Sequence, residues 1–451
     1  MPTIDRLRAL GLFDSRVPRY TSYPTAPVFK PLPSPDFQAQ ALSAINPAEP
    51  VSVYVHIPFC ERLCWFCACL TQGTKTRGPL EAYLVALERE LALIAHCLPE
   101  GVRMGRLHWG GGTPTILHPD MIHRLARAVK AVFPPHDDFE FSVEIDPTTV
   151  DGDKIHALAE EGLNRASIGI QDFDPVVQEA IGRIQSFDTT DACVGALRDE
   201  GVGSLNTDLV YGLPHQDSAR LAGTLEQVLR LAPDRIALFG YAHVPWMSKR
   251  QRLIDESVLP DDLARYALAE QAASRFAAAG FEPIGIDHFA RPGDSLQEAA
   301  ASGRLRRNFQ GYTDDVCPTL IGVGASSISR FAQGYVQNAH KTADYMRSVG
   351  EGQLAGARGH ALSEEDRLRA RAIEMLMCDF RLDRTALARQ FGESAARLDL
   401  VHALVSERFG DLVALSDEAL EIRPEGRALT RIIAGSYDAY APEGVRYSRA
   451  T

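Results

Sequence analysis

Four of the eight cysteines in this chain fall within ten residues, at Cys60, Cys64, Cys67 and Cys69 of HIPFCERLCWFCACL. Cysteine thiolates are the usual protein ligands of iron–sulfur clusters, and a CxxxCxxC loop supplies three of them. Three thiolates can hold three irons of a cubic 4Fe–4S cluster, which leaves the fourth iron open to an exogenous ligand. Cys69 would close that corner if it ligated, so it is assigned to the loop without a ligand role. Other readings compete. A structural zinc site prefers two separated cysteine pairs, whereas these four share one short stretch. Cys60, Cys64 and Cys67 also fall at i, i+4 and i+7, one face of a helix, but Pro58 and the crowded CWFCAC run favour a loop. Buried, inert thiols are the third reading, and the scattered Cys97, Cys193, Cys317 and Cys378 are assigned to it.

A second set of residues recurs at the ends of apolar runs. In HWGGGTPT, Gly110, Gly111 and Gly112 let the backbone approach a ligand that a Cβ would obstruct. Glu144 ends the next run (SVEIDP), then Gln171 (GIQDF), Asp208 (NTDLVYGLP), and Ala242 with His243 (FGYAHVP). Any one of them could be a helix cap or a turn. Together they carry more weight, because the carboxyl ends of the strands in a βα barrel all face one rim.

The elements that must position them alternate in type. Strand candidates are Val51–His56, Arg106–Trp109, Phe139–Glu144, Arg165–Gly169, Gly203–Asp208 and Arg235–Gly240, with a seventh apolar run at Glu282–Ile286. Helical periodicity separates them, as in Leu80–Ala95, Met121–Phe133 and Ala219–Leu231, and a long helix begins near Asp261. Parallel strands need such crossovers. The expectation is an α/β fold, a partial open (β/α)6–7 barrel, with a doubly wound sheet as its competitor. After residue 360 helices dominate. Ser363 and Asp366 form a capping-box start, Arg384–Phe391 and Ala396–Phe409 read as helices, and Leu412–Ile422 reads as two strands around a polar turn. This gives three expected segments: an arm or lid over 1–48, the barrel over 49–360, and a small, mostly helical, winged-helix-like domain over 361–451.

The net charge of −12 on 451 residues supplies no broad basic field for nucleic acid. The appended helices lack a basic recognition stripe, so packing or a lid role is preferred to DNA binding. No apolar run approaches the roughly 18 residues needed to cross a bilayer, and the N-terminus has no signal-peptide h-region. A cytoplasmic protein that contacts neither nucleic acid nor membrane is expected.

Taken together, YVHIPFC with its following cysteines, HWGGGTPT, VEIDP, GIQDF, NTDLVYGLP, YAHVP and IDHFARP resemble the oxygen-independent coproporphyrinogen III oxidase family of radical S-adenosylmethionine enzymes. PRYTSYPT (Pro18–Thr25) and RNFQGYT (Arg307–Thr313) extend the resemblance, which runs from about residue 18 to 437. Asp314–Pro318 and the last dozen residues match nothing in it, and Gly240 stands where some relatives carry a polar residue. The resemblance implies a 4Fe–4S cluster and S-adenosylmethionine as cofactors, and coproporphyrinogen III as substrate. Two of its propionates would become the vinyl groups of protoporphyrinogen IX, each with loss of carbon dioxide, after reductive cleavage of the cofactor and removal of a hydrogen from the propionate β-carbon. It also implies an external electron donor for the cluster, and the chain is expected to act as a monomer.

By position, the resemblance makes Cys60, Cys64 and Cys67 the cluster ligands. It places Tyr54, Gly111, Glu144 and Ile328 at one S-adenosylmethionine and Phe66, Gly112, Thr113, Gln171, Arg183, Asp208 and Ala242 at a second. Tyr54, Glu144 and Asp208 form the catalytic set. Glu144 suits an ammonium or sulfonium, Asp208 a ribose hydroxyl or ammonium, and Arg183 a carboxylate. A substrate with four propionates needs cations, and Arg19, His243, His288, Arg291 and Arg307 are the candidates. Two rivals remain: a haem-chaperone relative that shares the cysteine motif, and a zinc-stabilised module whose winged helix contacts nucleic acid.

Overall fold

The computed structural model describes residues 3–440, 447 and 449. Of the final dozen residues, those at 441–446, 448, 450 and 451 lie outside that description. Two compact units emerge: Lys30–Pro260 with Cys317–Ala361, and Met1–Phe29 with Asp261–Val316 and Leu362–Thr451.

The first unit carries the cysteine loop on a sheet whose centre is parallel. Its strands are β1 (Val51–Ile57), β2 (Met104–Gly111), β3 (Pro135–Ile145), β4 (Arg165–Gln171), β5 (Ser204–Tyr211), β6 (Arg235–Gly240) and β7 (Thr319–Val323). They pair in parallel in the order β7-β1-β2-β3-β4-β5-β6. From β1 to β6 each strand lies beside its predecessor, with no reversal of order. That winding belongs to an open barrel, not to a doubly wound sheet with its switch point. Beyond β7 the sheet turns antiparallel through Ile328–Phe331, Gly334–Asn338 and Gly356–Ala361.

Crossover helices cover the parallel strands: α1 (Arg77–Cys97), α2 (Pro119–Val132), α3 (Gly152–Glu160), α4 (Phe187–Asp199) and α5 (Ser218–Arg230). Helix α1 buries Leu80, Tyr83, Leu84, Leu87, Leu91 and Ile94, the three-and-four spacing of one apolar stripe. Pro119 occupies the first turn of α2, where a missing N–H costs nothing. The Asp151 and Asp217 side chains accept the Lys154 and Arg220 N–H groups and so cap α3 and α5.

One buried carboxyl ties this frame together. Glu90 of α1 accepts hydrogen bonds from the Gly324 N–H (2.7 Å), the Tyr345 hydroxyl (2.8 Å) and the Asn338 amide (2.6 Å). Burial pushes it up to about 7 against those bonds. Two turns earlier, the Tyr83 hydroxyl donates to the His56 carbonyl (2.9 Å) and accepts the Ala325 N–H (2.8 Å). The end of β1 and the turn after β7 are thus fixed to one helix.

The seventh apolar run does form a strand, Glu282–Ile284, but it pairs antiparallel with His288–Ala290 and is not one of the parallel strands. Gly285, at φ +57°, turns the chain there, and a Cβ on it would strike the Tyr312 ring. The seventh parallel strand is β7, in TLIGV. The helix expected over Ala396–Phe409 is also shorter: a 3₁₀ stretch, Gly392–Leu398, precedes the α-helix Asp399–Phe409.

In the second unit the Ser363–Asp366 capping box opens the helix Glu364–Asp379. The strands Val413–Leu415 and Ala419–Ile422 form the expected hairpin, joined by a third, Arg381–Asp383. Leu7, Leu12, Phe13, Tyr20 and Tyr23 share one apolar core with Leu368, Leu376, Phe409 and Ile433. Among the described residues no helix is long and apolar enough to cross a membrane.

Candidate active site

The cysteine loop leaves β1 directly and is held from several sides. Phe59–Cys60 pairs in parallel with Gln72–Gly73, closing the loop at its base. The Gly112 and Thr113 N–H groups donate to the Ile57 and Phe59 carbonyls, both at 2.8 Å. Donors also point at the sulfurs. The Thr113 hydroxyl reaches Cys60 Sγ (3.4 Å), the Arg183 guanidinium Cys64 Sγ (3.7 Å) and the Cys69 N–H Cys67 Sγ (3.4 Å). Hydrogen bonding from Cys69, with help from the charges of Arg250 and Arg183, brings the Cys67 thiol down to about 6 against its burial. Burial moves Cys60 the other way.

The glycines beside the loop are required by contact. A Cβ on Gly110 would sit 2.6 Å from Glu144 Oε1, and one on Gly112 2.5 Å from the Phe59 carbonyl oxygen. Gly111, at φ +115°, would put its Cβ 2.5 Å from the His56 ring. Its N–H instead donates to Glu144 Oε2 (3.0 Å). Burial favours the neutral form of Glu144, but the His108 hydrogen bond and charge and the Gly111 N–H outweigh it and hold the carboxyl below its usual range. Tyr54 stacks on His108 (centroids 5.8 Å) and its hydroxyl meets His56 Nδ1 at 2.9 Å.

Farther along the rim, Arg183 is buried and bridges three elements. It binds Asp146 (3.1 Å), the Gly169 carbonyl (2.8 Å) and Gln185 (2.9 Å). Gln171 closes β4 in the left-handed region, at φ +71°, next to a register shift between β4 and β5. Asp208 accepts from Ser167 (3.0 Å) and Asn206 (2.8 Å). The Phe66 and Ala242 carbonyls share one donor, the Gln251 amide, at 2.6 and 3.1 Å. Ile328 opens the antiparallel strand after β7, and its backbone lies 2.9 Å from where a Gly322 Cβ would be.

A family model described as the radical SAM superfamily matches residues 54–228. Oxygen-independent coproporphyrinogen III oxidase of Cereibacter sphaeroides (strain ATCC 17025 / ATH 2.4.3) is 61% identical, with 100% of each chain covered. That of Paracoccus denitrificans is 52% identical over 96% of each. Among solved structures, coproporphyrinogen III oxidase of Escherichia coli, described as a radical SAM enzyme, matches with TM-score 0.90 and 36% identity, covering 95% of this chain and 100% of that one. The chain belongs to the oxygen-independent coproporphyrinogen III oxidase family.

The residues fit the cluster and cofactor of a radical SAM oxidase. Three thiols follow β1, each with a donor at its sulfur. Arg183 Nε is buried with no acceptor among the described residues, which leaves one guanidinium N–H for a ligand. No three histidine, cysteine, aspartate or glutamate side chains among the described residues gather as ligands of one metal ion would. Gly112→Ala tests the cradle. Its Cβ meets backbone that cannot swing aside, so a stability loss of about 1–3 kcal/mol is expected. Iron content after reconstitution should fall with it, as checked by thermal unfolding and metal analysis.

The oxidase's candidate substrate cations divide between the two units. In the second unit Arg307 and His288 both engage Asp287, at 3.6 and 2.7 Å, and Arg307 Nε donates to the Arg19 carbonyl (3.3 Å). Arg291 lies outside this cluster, over the Phe281 ring at 4.6 Å. His243, in the first unit, bonds Tyr241 (2.8 Å) and Glu256 (2.9 Å). Asp287, Asp146, His108 and Glu90 were not singled out from sequence. The first three lie inside the quoted motifs, which was the available signal.

Asp287 is half-buried, and Arg307 and His288 overcome its desolvation and depress its carboxyl well below the ordinary range. A depressed folded pKa stabilises at neutral pH and loses that contribution as pH falls. Asp287→Asn should therefore cost about 3–5 kcal/mol near pH 7, because Arg307 is left buried without its counter-charge. The gap to wild type should narrow as pH drops from about 5 toward 3, which thermal melts across that range would read.

Proposed function

We propose that the chain converts coproporphyrinogen III to protoporphyrinogen IX without oxygen, decarboxylating two propionates to vinyl groups. The observation that carries this reading is the loop of Cys60, Cys64 and Cys67 at the end of β1, with the Gly110–Gly112 cradle and Glu144 beside it. A 4Fe–4S cluster with S-adenosylmethionine supplies one-electron cleavage of a sulfonium and hydrogen abstraction, chemistry that no side chain provides.

The chain's own groups bind and orient. Cys60, Cys64 and Cys67 ligate three irons. Tyr54, Gly111, Glu144 and Ile328 hold one S-adenosylmethionine, with the anionic Glu144 toward its positive end. Phe66, Gly112, Thr113, Gln171, Arg183, Asp208 and Ala242 hold a second; the unsatisfied Arg183 Nε–H faces a carboxylate and Asp208 a hydroxyl or ammonium. Arg19, His243, His288, Arg291 and Arg307 receive propionates. Arg307 Nη1, buried with no acceptor among the described residues, is the group most in need of one. The proposed segments are an arm over 1–48, a catalytic barrel over 49–360 and an appendage over 361–451. The barrel has its parallel strands in the unit Lys30–Pro260 with Cys317–Ala361, while Asp261–Val316 groups with Met1–Phe29 and the appendage. The enzyme works in the cytoplasm as a monomer and draws its electron from another molecule. Family membership favours the oxidase over the haem-chaperone relative.

Anaerobic incubation of the reconstituted protein with coproporphyrinogen III, S-adenosylmethionine and dithionite should yield methionine, 5′-deoxyadenosine, carbon dioxide and a divinyl product. Absence of all four from protein that holds its cluster rules the reading out.

A further inference from the structure

Residues 246–253 form the outer cover of the cysteine loop and carry an unusual surface. The segment is bonded onto the loop at three points. Ser248 donates to the Cys67 carbonyl (2.9 Å), Arg250 to the Cys69 carbonyl (2.7 Å) and Gln251 to the Phe66 carbonyl (2.6 Å). Yet Met247 is 72% exposed, Leu253 61% and Trp246 42%, although large apolar side chains usually turn inward. Leu70 (53%), on the loop itself, and Ile184 (59%), whose carbonyl is bonded by Arg62 of the loop, extend this apolar exposure. The charges between them are mostly basic. Lys249 and Arg252 are exposed, and neither has an ion-pair partner among the described residues; Arg62 and Arg250 bond only backbone carbonyls and a threonine hydroxyl. Glu61 is the acid inside the patch, and Asp255 and Glu256 lie at its far end.

We infer that this apolar and basic surface is the docking site of a small acidic one-electron carrier protein. The inference rests on the proposed function, which requires an electron from outside. The chain has a net charge of −12, so a local cluster of unpaired cations is where an acidic partner is attracted and the remainder repels it. Apolar side chains ringed by charge suit a brief encounter, since electron-transfer interfaces are small and form fast under electrostatic steering. A porphyrinogen fits less well, because its chemistry must be shielded from water and these side chains are open to it. In the step itself one electron leaves the carrier, oxidising it by one, and enters the cluster, reducing it by one; no bond forms or breaks. Arg250 and Ser248 put the docked surface one hydrogen bond from the backbone of the ligand loop.

The test uses Lys249→Glu/Arg252→Glu in anaerobic holoenzyme, with a flavodoxin and an acidic ferredoxin as probes. Wild type should bind at least one probe with a Kd that rises as salt increases from about 50 to about 500 mM. The variant's Kd should be weaker by at least about tenfold, with little salt dependence left. Bleaching of the cluster absorbance by the reduced probe should slow in parallel, while dithionite-driven turnover stays within about twofold of wild type. Three results overturn the docking site: wild type binding neither probe, the variant binding as well as wild type, or a raised coproporphyrinogen III KM with dithionite. The last would give the patch to the substrate. Loss of dithionite-driven turnover in wild type would instead strike the proposed function, and the binding arm would still report on docking.

Discussion

Cys64→Ala should yield a protein that folds but holds no stable cluster, with absorbance near 400 nm, cluster-bound sulfide and turnover all lost together. Cys64 is the most enclosed of the three proposed ligands and is the one that Arg183 contacts. Removing its sulfur leaves one iron without a protein ligand and the guanidinium without its nearest soft acceptor. Stability need not follow, because the loop is also fixed by the Gly112 and Thr113 N–H bonds and by the segment at 248–251. Cys193→Ala is the matched control. That thiol is buried in α4, where burial raises it to about 12, so it has neither the exposure nor the acidity to bind iron. It should keep full iron and activity. Iron and sulfide analysis on anaerobically reconstituted proteins separates the two, and an unaltered iron content in Cys64→Ala removes that cysteine from the ligand set.

What could be read in the residues alone was what repeats or what is chemically unusual. Alternating apolar runs and helical stripes gave β1 to β6 to within a few residues, because parallel strands buried on both faces announce themselves as β-branched runs. The cysteine spacing and the polar strand ends were legible for the same reason: few structural needs produce them. The strand β7 is harder to read, because TLIGV is five residues long and lies among other short apolar pieces such as Glu282–Ile286. Length could not separate them. A left-handed glycine turn and an antiparallel partner did, and both are tertiary facts.

The positioning residues were the harder part. In LERELALI, Glu90 reads as an exposed helix residue, since acids are seldom fully buried. Only the folded chain brings Gly324, Asn338 and Tyr345 to it from more than 230 positions away. Asp287 was equally hidden. It lies in space between two of the propionate candidates, His288 and Arg307, and engages both, so part of their charge is met within the protein. Motif reading finds the groups that do chemistry more readily than the groups that hold them.

Arg183 combines both roles, and for that reason its replacement should have the second-largest effect. Arg183→Met leaves the half-buried Asp146 without its cation, bonded only by Thr148, and frees the Gly169 carbonyl and Gln185, with an expected cost of about 3 kcal/mol. If the residue served structure alone, Arg183→Met/Asp146→Asn should recover part of that stability and activity in step, because the stranded charge is gone. If its free Nε–H also receives a cofactor carboxylate, stability recovers and turnover does not. Arg183→Lys sharpens the contrast. It keeps the charge against Asp146 but loses the fork that spans three elements, so the melt should move less than in Arg183→Met. The KM for S-adenosylmethionine should still rise by about tenfold or more, equivalent to about 1.4 kcal/mol of lost binding. A double-mutant cycle read by both thermal unfolding and initial rates distinguishes these cases, and a lysine variant with unchanged KM would confine Arg183 to holding Asp146 and the end of β4 in place.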